Sequence, residues 1–369
     1  MPRLTSFAVT AVAAVIVAIS WLPTARAQQS VAVNRGVVEL ETTGSAGISV
    51  RIAEDLARLI DDGATRRVVP VVGKGTLQNL ADLKYLRGID IAILQADVVD
   101  YVKDQRLLPG IESIAYITKL YNEEFHLLAG PGIKDIADLA NQTVNVGLVG
   151  SDTAITAGRL FDLFKVPVTA AHDSQQLALE KLRKGEVAAV AFVAGKPAPL
   201  FAGLTGQELH FVAVPFTRAV GAVYAPTRLT AADYPGLVPP DQPIETVAVG
   251  SILAAADLRQ IPERYRNVAN FVDAFFSGFQ SLLSPGNHPK WQEVNLAAEL
   301  PAWRRYPSAA EWLQRNVQVA NIQSPDNLKA MFSRFIDERR QASGGAPMSE
   351  QEKAALFQQF QAWRGGQAR

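Results

Sequence analysis

Three short stretches place glycine and hydroxyl side chains where an apolar run gives way to an amphipathic one. Gly44-Ser45-Ala46-Gly47 follows Val37-Val38-Glu39-Leu40 and precedes a stretch beginning at Ile48. The same grammar returns at Gly73-Lys74-Gly75-Thr76 and at Gly147-Leu148-Val149-Gly150-Ser151. A strand that turns into a helix through such residues aims unpaired backbone N–H groups, and the positive end of the helix dipole, at one spot. Three such mouths imply a cleft that holds a small polar solute by its backbone and hydroxyl groups. Thr76 and Asn79 lie one turn apart on the second of these helices, so their polar ends share a face near its positive end. Gln95-Ala96-Asp97 follows directly on an apolar run, at the edge where open α/β sheets bind ligands. Each residue also has a local alternative: a tight turn at Gly44, an N-cap at Thr76, and a cap at Ser151 or Asp152.

Other chemistry lacks its local signature. His126, His172, His210 and His288 form no metal-binding pair, and Ser45, Ser151 and Ser251 lack the flanks of a nucleophile elbow. Gly73-Lys74-Gly75-Thr76 is too short for a nucleotide-binding P-loop and lacks the third glycine of a dinucleotide fingerprint. The chain contains no cysteine, which excludes a thiol nucleophile, a CxxC site, a disulfide and a lipidated cysteine. Basic and acidic residues balance at 36 each, with no basic-plus-aromatic stripe for nucleic acid.

The elements that must position the mouths follow from periodicity. The 369 residues, 48% of them hydrophobic and 20% charged, suit a folded protein of two lobes. Arg3, an apolar run from Phe7 to Leu22, and Ala25-Arg26-Ala27 read as a signal peptide over residues 1–27, which implies export; a retained membrane anchor is the alternative. From Gly36 to Leu94 the pattern is strand, helix, strand, helix, strand, with Ile48, Ile52, Leu56, Leu59 and Ile60 at helical spacing. Val68–Val72 and Ile89–Leu94 read as strands of a parallel sheet, and Pro70 argues against a central place for the first. A helix is expected from Thr76 to Leu86. The stretch Leu83–Ala92 resembles Leu179–Ala188, each a helix, a glycine stop and a strand, so two similar α/β units are expected in series. Around the second copy lie an expected strand at Thr143–Gly147 and helices at Thr153–Phe164 and Ser174–Lys184. Thr246–Leu253 reads as a strand, the stripe Phe271, Phe275, Phe276, Phe279 and Leu282 as a core-facing helix, and Ser349–Trp363 as a short appended helix.

The order and spacing of several segments resemble the periplasmic solute receptors of TRAP transporters, specifically the TAXI family, over roughly Val37 to Trp312. The segments are Thr43–Gly47, Gly75–Leu80, Asp90–Asp97, Leu120–His126, Val144–Gly147, Gly150–Thr153, and Tyr234-Pro235-Gly236 leading to Glu245–Val249. The resemblance implies an α/β, two-lobed type II periplasmic-binding-protein fold with a ligand cleft between the lobes. It implies a monomeric, non-enzymatic receptor without cofactor, metal or nucleic-acid partner. Such a receptor captures a small, usually carboxylate-bearing solute and delivers it to the permease subunits of an ion-gradient-driven TRAP transporter. Lobe one is expected over 31–128 plus 217–335, lobe two over 129–216, and a C-terminal extension over 336–369. The ligand-facing positions carried over are Thr43, Gly44, Ser45, Thr76, Asn79, Gln95, Asp97, Ser151 and Thr153.

Two departures concern the solute. The first loop reads Ala46-Gly47-Ile48-Ser49-Val50 where family members commonly carry more glycine and then aromatics. Asp152 stands where the second-lobe loop usually has glycine. At the pocket wall, Asp152 would repel a bare anion and favour an ammonium or several hydroxyls; as a cap pointing away it would do neither. Lys74, Lys119, Arg159 and Lys196 are the candidate carboxylate partners, with surface solvation as the alternative. Three other readings stay open: a receptor of an ATP-driven importer or sensor, a periplasmic enzyme on the same fold, and an assembly protein using Ser349–Trp363.

Overall fold

The apolar run after Gly36 forms strand β1 (Val37–Thr42), and the helical spacing of Ile52, Leu56 and Ile60 forms α1 (Ser49–Ile60). Strand β2 (Arg67–Val72), helix α2 (Thr76–Tyr85) and strand β3 (Ile89–Gln95) follow close to their expected limits. Helix α3 (Ala96–Asp104) starts where β3 ends, and β4 (Ala115–Ala129) is one long strand. The first pattern then recurs: β5 (Thr143–Asn145), α4 (Asp152–Phe164), β6 (Thr169–Ala171), α5 (Gln175–Arg183) and β7 (Ala189–Ala194). Strands β8 (His210–Phe211), β9 (Ala225–Leu229) and β10 (Ile244–Ala255) and helices α6 (Pro262–Leu282) and α7 (Pro307–Arg315) complete the order. This computed structural model describes residues 36–44, 47–205, 209–300, 303–316, 349 and 352. The expected signal peptide and Ser45 lie outside them, as does the expected C-terminal helix apart from Ser349 and Glu352. Among the described residues no helix is long and apolar enough to cross a membrane.

The strands join in the order β2-β1-β3-β10-β4-β7-β5-β6, with β8 on β4 and β9 on β10. β1 runs parallel to β2 and β3, and β5 runs parallel to β6 and β7. The internal repeat is therefore structural: β2-β1-β3 with α1 and α2 corresponds to β6-β5-β7 with α4 and α5. β2 lies at the sheet edge, where the missing N–H of Pro70 breaks no internal ladder. The sheet is mixed rather than parallel throughout, because β4 and β10 pair antiparallel with their neighbours. Both strands serve both halves. β10 meets β3 through Ser251–Ala255 and β9 through Ile244–Ala248. β4 meets β10 up to Glu124 and β7 from Glu124 onward.

One hydrophobic cluster joins β1, β3 and α1 to the aromatic stripe of α6 and to Trp291 and Trp312. Phe275 is its hub, edge-on to Phe276 at 5.4 Å and Trp291 at 5.9 Å between ring centroids. Two further clusters cover the second half, one on each side of its sheet. Val220, Tyr224, Tyr234, Leu237 and Val247 pack into those second-half clusters, although their sequence position placed them with the first lobe. The reason is the pairing of β9 with the far end of β10, which carries residues 220–249 across with it. Truncating Phe275 to alanine leaves a cavity among aromatic rings, and a loss of about 3–5 kcal/mol in unfolding free energy is expected by urea denaturation.

Candidate ligand-binding site

Four strand-to-helix loops, two from each repeat, surround a cavity of about 420 Å³. The first half contributes Thr43, Gly44 and Gly47 from the β1–α1 loop, and Gly73 and Lys74 from the β2–α2 loop. The second half contributes Gly147–Val149 and Ser151–Thr153 from the β5–α4 loop, and Asp173–Gln176 from the β6–α5 loop. Gln95, Glu123, Phe192 and Val193 complete the wall from the strands.

Asp152 ties the two halves together. Helix α2 begins after Gly75, which has no side chain to cap it, and Asp152 supplies the acceptor from the other half. The Thr76 backbone N–H donates to Asp152 Oδ1 at 2.6 Å, and Thr76 Oγ1 donates to Oδ2 at 3.0 Å. A Cβ on Gly75 would lie 3.1 Å from Asp152 Oδ1, and its φ of +133° suits only glycine, so this close approach depends on that residue. Asp152 is also the first residue of α4, whose own cap is Ser151 Oγ accepting from Ala154 N at 3.3 Å. One carboxylate thus stands at the positive ends of two helices.

A second knot lies beside it. Asp97 Oδ2 accepts from Tyr224 OH at 2.9 Å and from Thr156 Oγ1 at 2.8 Å, while Oδ1 accepts from Gln95 Nε2 at 2.8 Å. Arg159 donates to the Asp97 carbonyl at 2.6 Å. These bonds fasten α3 to α4 and to the segment before β9.

Where β4 passes from one half to the other, two adjacent carboxylates point to opposite faces. Glu124 is fully served: Lys290 Nζ donates to one oxygen at 2.7 Å and the Lys196 backbone N–H to the other at 2.8 Å. Glu123 lines the cavity with 4% of its surface exposed, and among the described residues no donor meets its carboxylate. Burial, then the charges of Asp152 and Glu124, push Glu123 up to about 8. Burial likewise raises Asp152 to about 7, against the two bonds from Thr76 that favour its ionised form.

The structure brings Thr43, Gly44, Gln95, Ser151, Asp152 and Thr153 to the cavity. Thr76, Asn79 and Asp97 are buried off its wall, each committed to protein partners. Asn79 Nδ2 donates to the carbonyls of Thr42 and Ile93, which fixes the end of β1 against β3. Thr76 is the first helical residue rather than the cap. Of the four candidate cations, Lys74 reaches the cavity, whereas Arg159 is spent on Asp97 and Lys196 pairs with Asp233 at 3.1 Å. Lys119 is half-buried on β4 beside Glu293 and Lys290, off the cavity wall. Reasoning from sequence missed Glu123 and the whole β6–α5 mouth. A charge doublet inside an apolar run was the available signal for the first. The internal repeat, which demands a fourth loop equivalent to Gly73–Thr76, was the signal for the second.

The model of the NMT1-like family matches residues 41–273. The chain belongs to that family. Its architecture is mixed α/β, with two repeats joined through shared long strands. No curated protein matches the chain. Among solved structures, the chain is similar to the aliphatic sulphonate binding protein SsuA from Escherichia coli, at 15% identity and a TM-score of 0.41, over 88% of this chain and 90% of that one. It is similar to a histidine-bound substrate binding protein of an ABC uptake transporter from Streptococcus pneumoniae, at 13% identity and 0.42, over 70% and 91%. XAC2383 from Xanthomonas citri, bound to ATP, scores 0.44 at 9% identity, over 77% and 97%.

A carboxyl whose folded pKa is raised stabilises the fold fully below its ordinary value of 4.5 and stops doing so as pH rises through about 8. Glu123→Gln removes that dependence. The melting temperature of the variant is therefore expected to gain on that of the native chain from about pH 5 to about pH 8 and to hold level above it, measured by calorimetry of the ligand-free proteins.

Proposed function

We propose that this protein is a receptor that captures a small polar solute and delivers it to a membrane permease of the TRAP type. The observation that carries this reading is the cavity walled by four strand-to-helix loops, two from each repeat. Its volume of about 420 Å³ suits a metabolite-sized guest. Membership in the NMT1-like family and the two-repeat architecture support a binding role rather than turnover. The order of the segments from Thr43 to Val249 supports the TAXI-type receptor and its permease in particular, and residues 1–27 support export to the periplasm.

The two repeats act as lobes in this reading, with β4 and β10 as the connection that flexes. Contacts made from both sides by the solute shift the equilibrium toward the closed form by their differential affinity for it. The permease then recognises the closed surface. A gene for a fused multi-span permease beside this one would distinguish this partner from an ATP-driven importer.

A thermal-shift screen of amino acids, organic acids, amines and polyols, followed by calorimetry, tests the receptor reading. One related group of compounds is expected to raise the melting temperature, bind at one per chain and remain unchanged on prolonged incubation. Chemical conversion of the bound compound, or no stabilisation by any class, would overturn the reading. Ser174→Leu, which fills the β6–α5 mouth, is expected to weaken that binding by about tenfold or more while the ligand-free protein still folds.

A further inference from the structure

Among the described residues, the buried side-chain groups of the cavity wall that lack a protein donor are oxygen acceptors, while Lys74, Ser174 and Gln176 keep donors at its exposed rim. Glu123 is buried, and among the described residues no donor meets its carboxylate. Gln175 gives its amide nitrogen to the Ala191 carbonyl at 3.2 Å, which fixes the orientation of the amide and leaves Oε1 buried without a partner. Gln95 gives its nitrogen to Asp97 and, at 2.7 Å, to Thr156, so it too has only its oxygen to offer. Among the described residues Asp152 accepts from Thr76 alone. Lys74, the lysine on the wall, is exposed at the mouth.

A carboxylate set against the ionised form of Glu123 would bring acceptor to acceptor and like charge to like charge in a low-dielectric setting. A neutral polyol would donate hydrogen bonds but leave the charge of an ionised Glu123 uncompensated. A protonated amine supplies both three N–H donors and the missing positive charge. We propose that the solute carries a protonated amine, which sits against the Glu123 carboxylate, with Asp152 and Gln175 Oε1 offering further acceptors in the same cavity. This rests on the receptor reading above and narrows its solute class.

The groups facing Glu123 define the pH behaviour. They are Asp152 of α4, Asp97 of α3, Tyr121 and Glu124 of its own strand, and Lys290, which is committed to Glu124 and to Glu293 at 2.7 Å. With Glu123 protonated in the empty cavity at lower pH, amine binding must expel that proton. Affinity is then expected to rise by about tenfold per unit between about pH 6 and pH 8, with proton release on binding.

The experiment is calorimetry on the exported full chain with matched probes: L-glutamate against glutarate, L-alanine against propionate, and putrescine against 1,4-butanediol. Each titration is repeated in two buffers of different ionisation enthalpy. The proposal expects that at least one amine binds at least about 100-fold tighter than its amine-free partner, with proton release, and that Glu123→Gln abolishes both the preference and the release. The melting temperature of ligand-free Glu123→Gln shows that the variant is folded, and the proton release of the native chain needs no variant. Equal or tighter binding of glutarate or propionate would overturn the amine while leaving the receptor intact. Absence of binding by every probe and by every class in the wider screen would end both readings.

Discussion

Everything about this site depends on two strands that belong to both halves of the molecule. β4 and β10 run side by side from the first repeat into the second, paired through Ala115–Glu124 and Ala248–Ala255. Because the sheet continues through them, the loops at the carboxyl ends of β1, β2, β5 and β6 all open onto the same cavity. The change of partner on β4 falls at Glu124, where β10 gives way to β7. Its neighbour Glu123, pointing to the other face, is thereby carried into the cavity.

Two carboxylates in that cavity are held by opposite logic. Asp152 is satisfied by the protein, since the Thr76 N–H and hydroxyl bind it and make it the tie between α2 and α4. Among the described residues Glu123 has no donor, beside its fully paired neighbour Glu124, although burying a lone carboxylate is unfavourable. A fold that needed no charge there could carry glutamine or an apolar residue at no loss of packing. Retaining an unpartnered acid at a cavity wall makes sense when a guest supplies the missing donor, and the raised proton affinity of Glu123 is how the empty protein avoids the charge.

Much of the scaffold was legible because it depends on local rules. Pro70 marked an edge strand, the phenylalanine stripe marked a buried helix, and the resemblance of Leu83–Ala92 to Leu179–Ala188 marked a repeated unit. The glycine mouths were visible because positive φ is written in residue type, as at Gly75 and Gly147. The fourth mouth, His172-Asp173-Ser174, turns without glycine and so carries no local mark. Thr76, Asn79 and Asp97 looked available for a solute because their partners are remote: Asp152 for Thr76, Ile93 and Thr42 for Asn79, Tyr224 and Thr156 for Asp97. Glu123 could not be told from Glu124 without knowing which face of β4 meets Lys290.

The most direct measurement is mass spectrometry of the small molecule that the protein carries when purified natively and then denatured. The account predicts a single predominant compound, near one per chain, bearing an aliphatic amine that is protonated at neutral pH. A predominant amine-free acid would contradict the charge logic of Glu123, and a protein that carries no solute and accepts none would contradict the receptor itself.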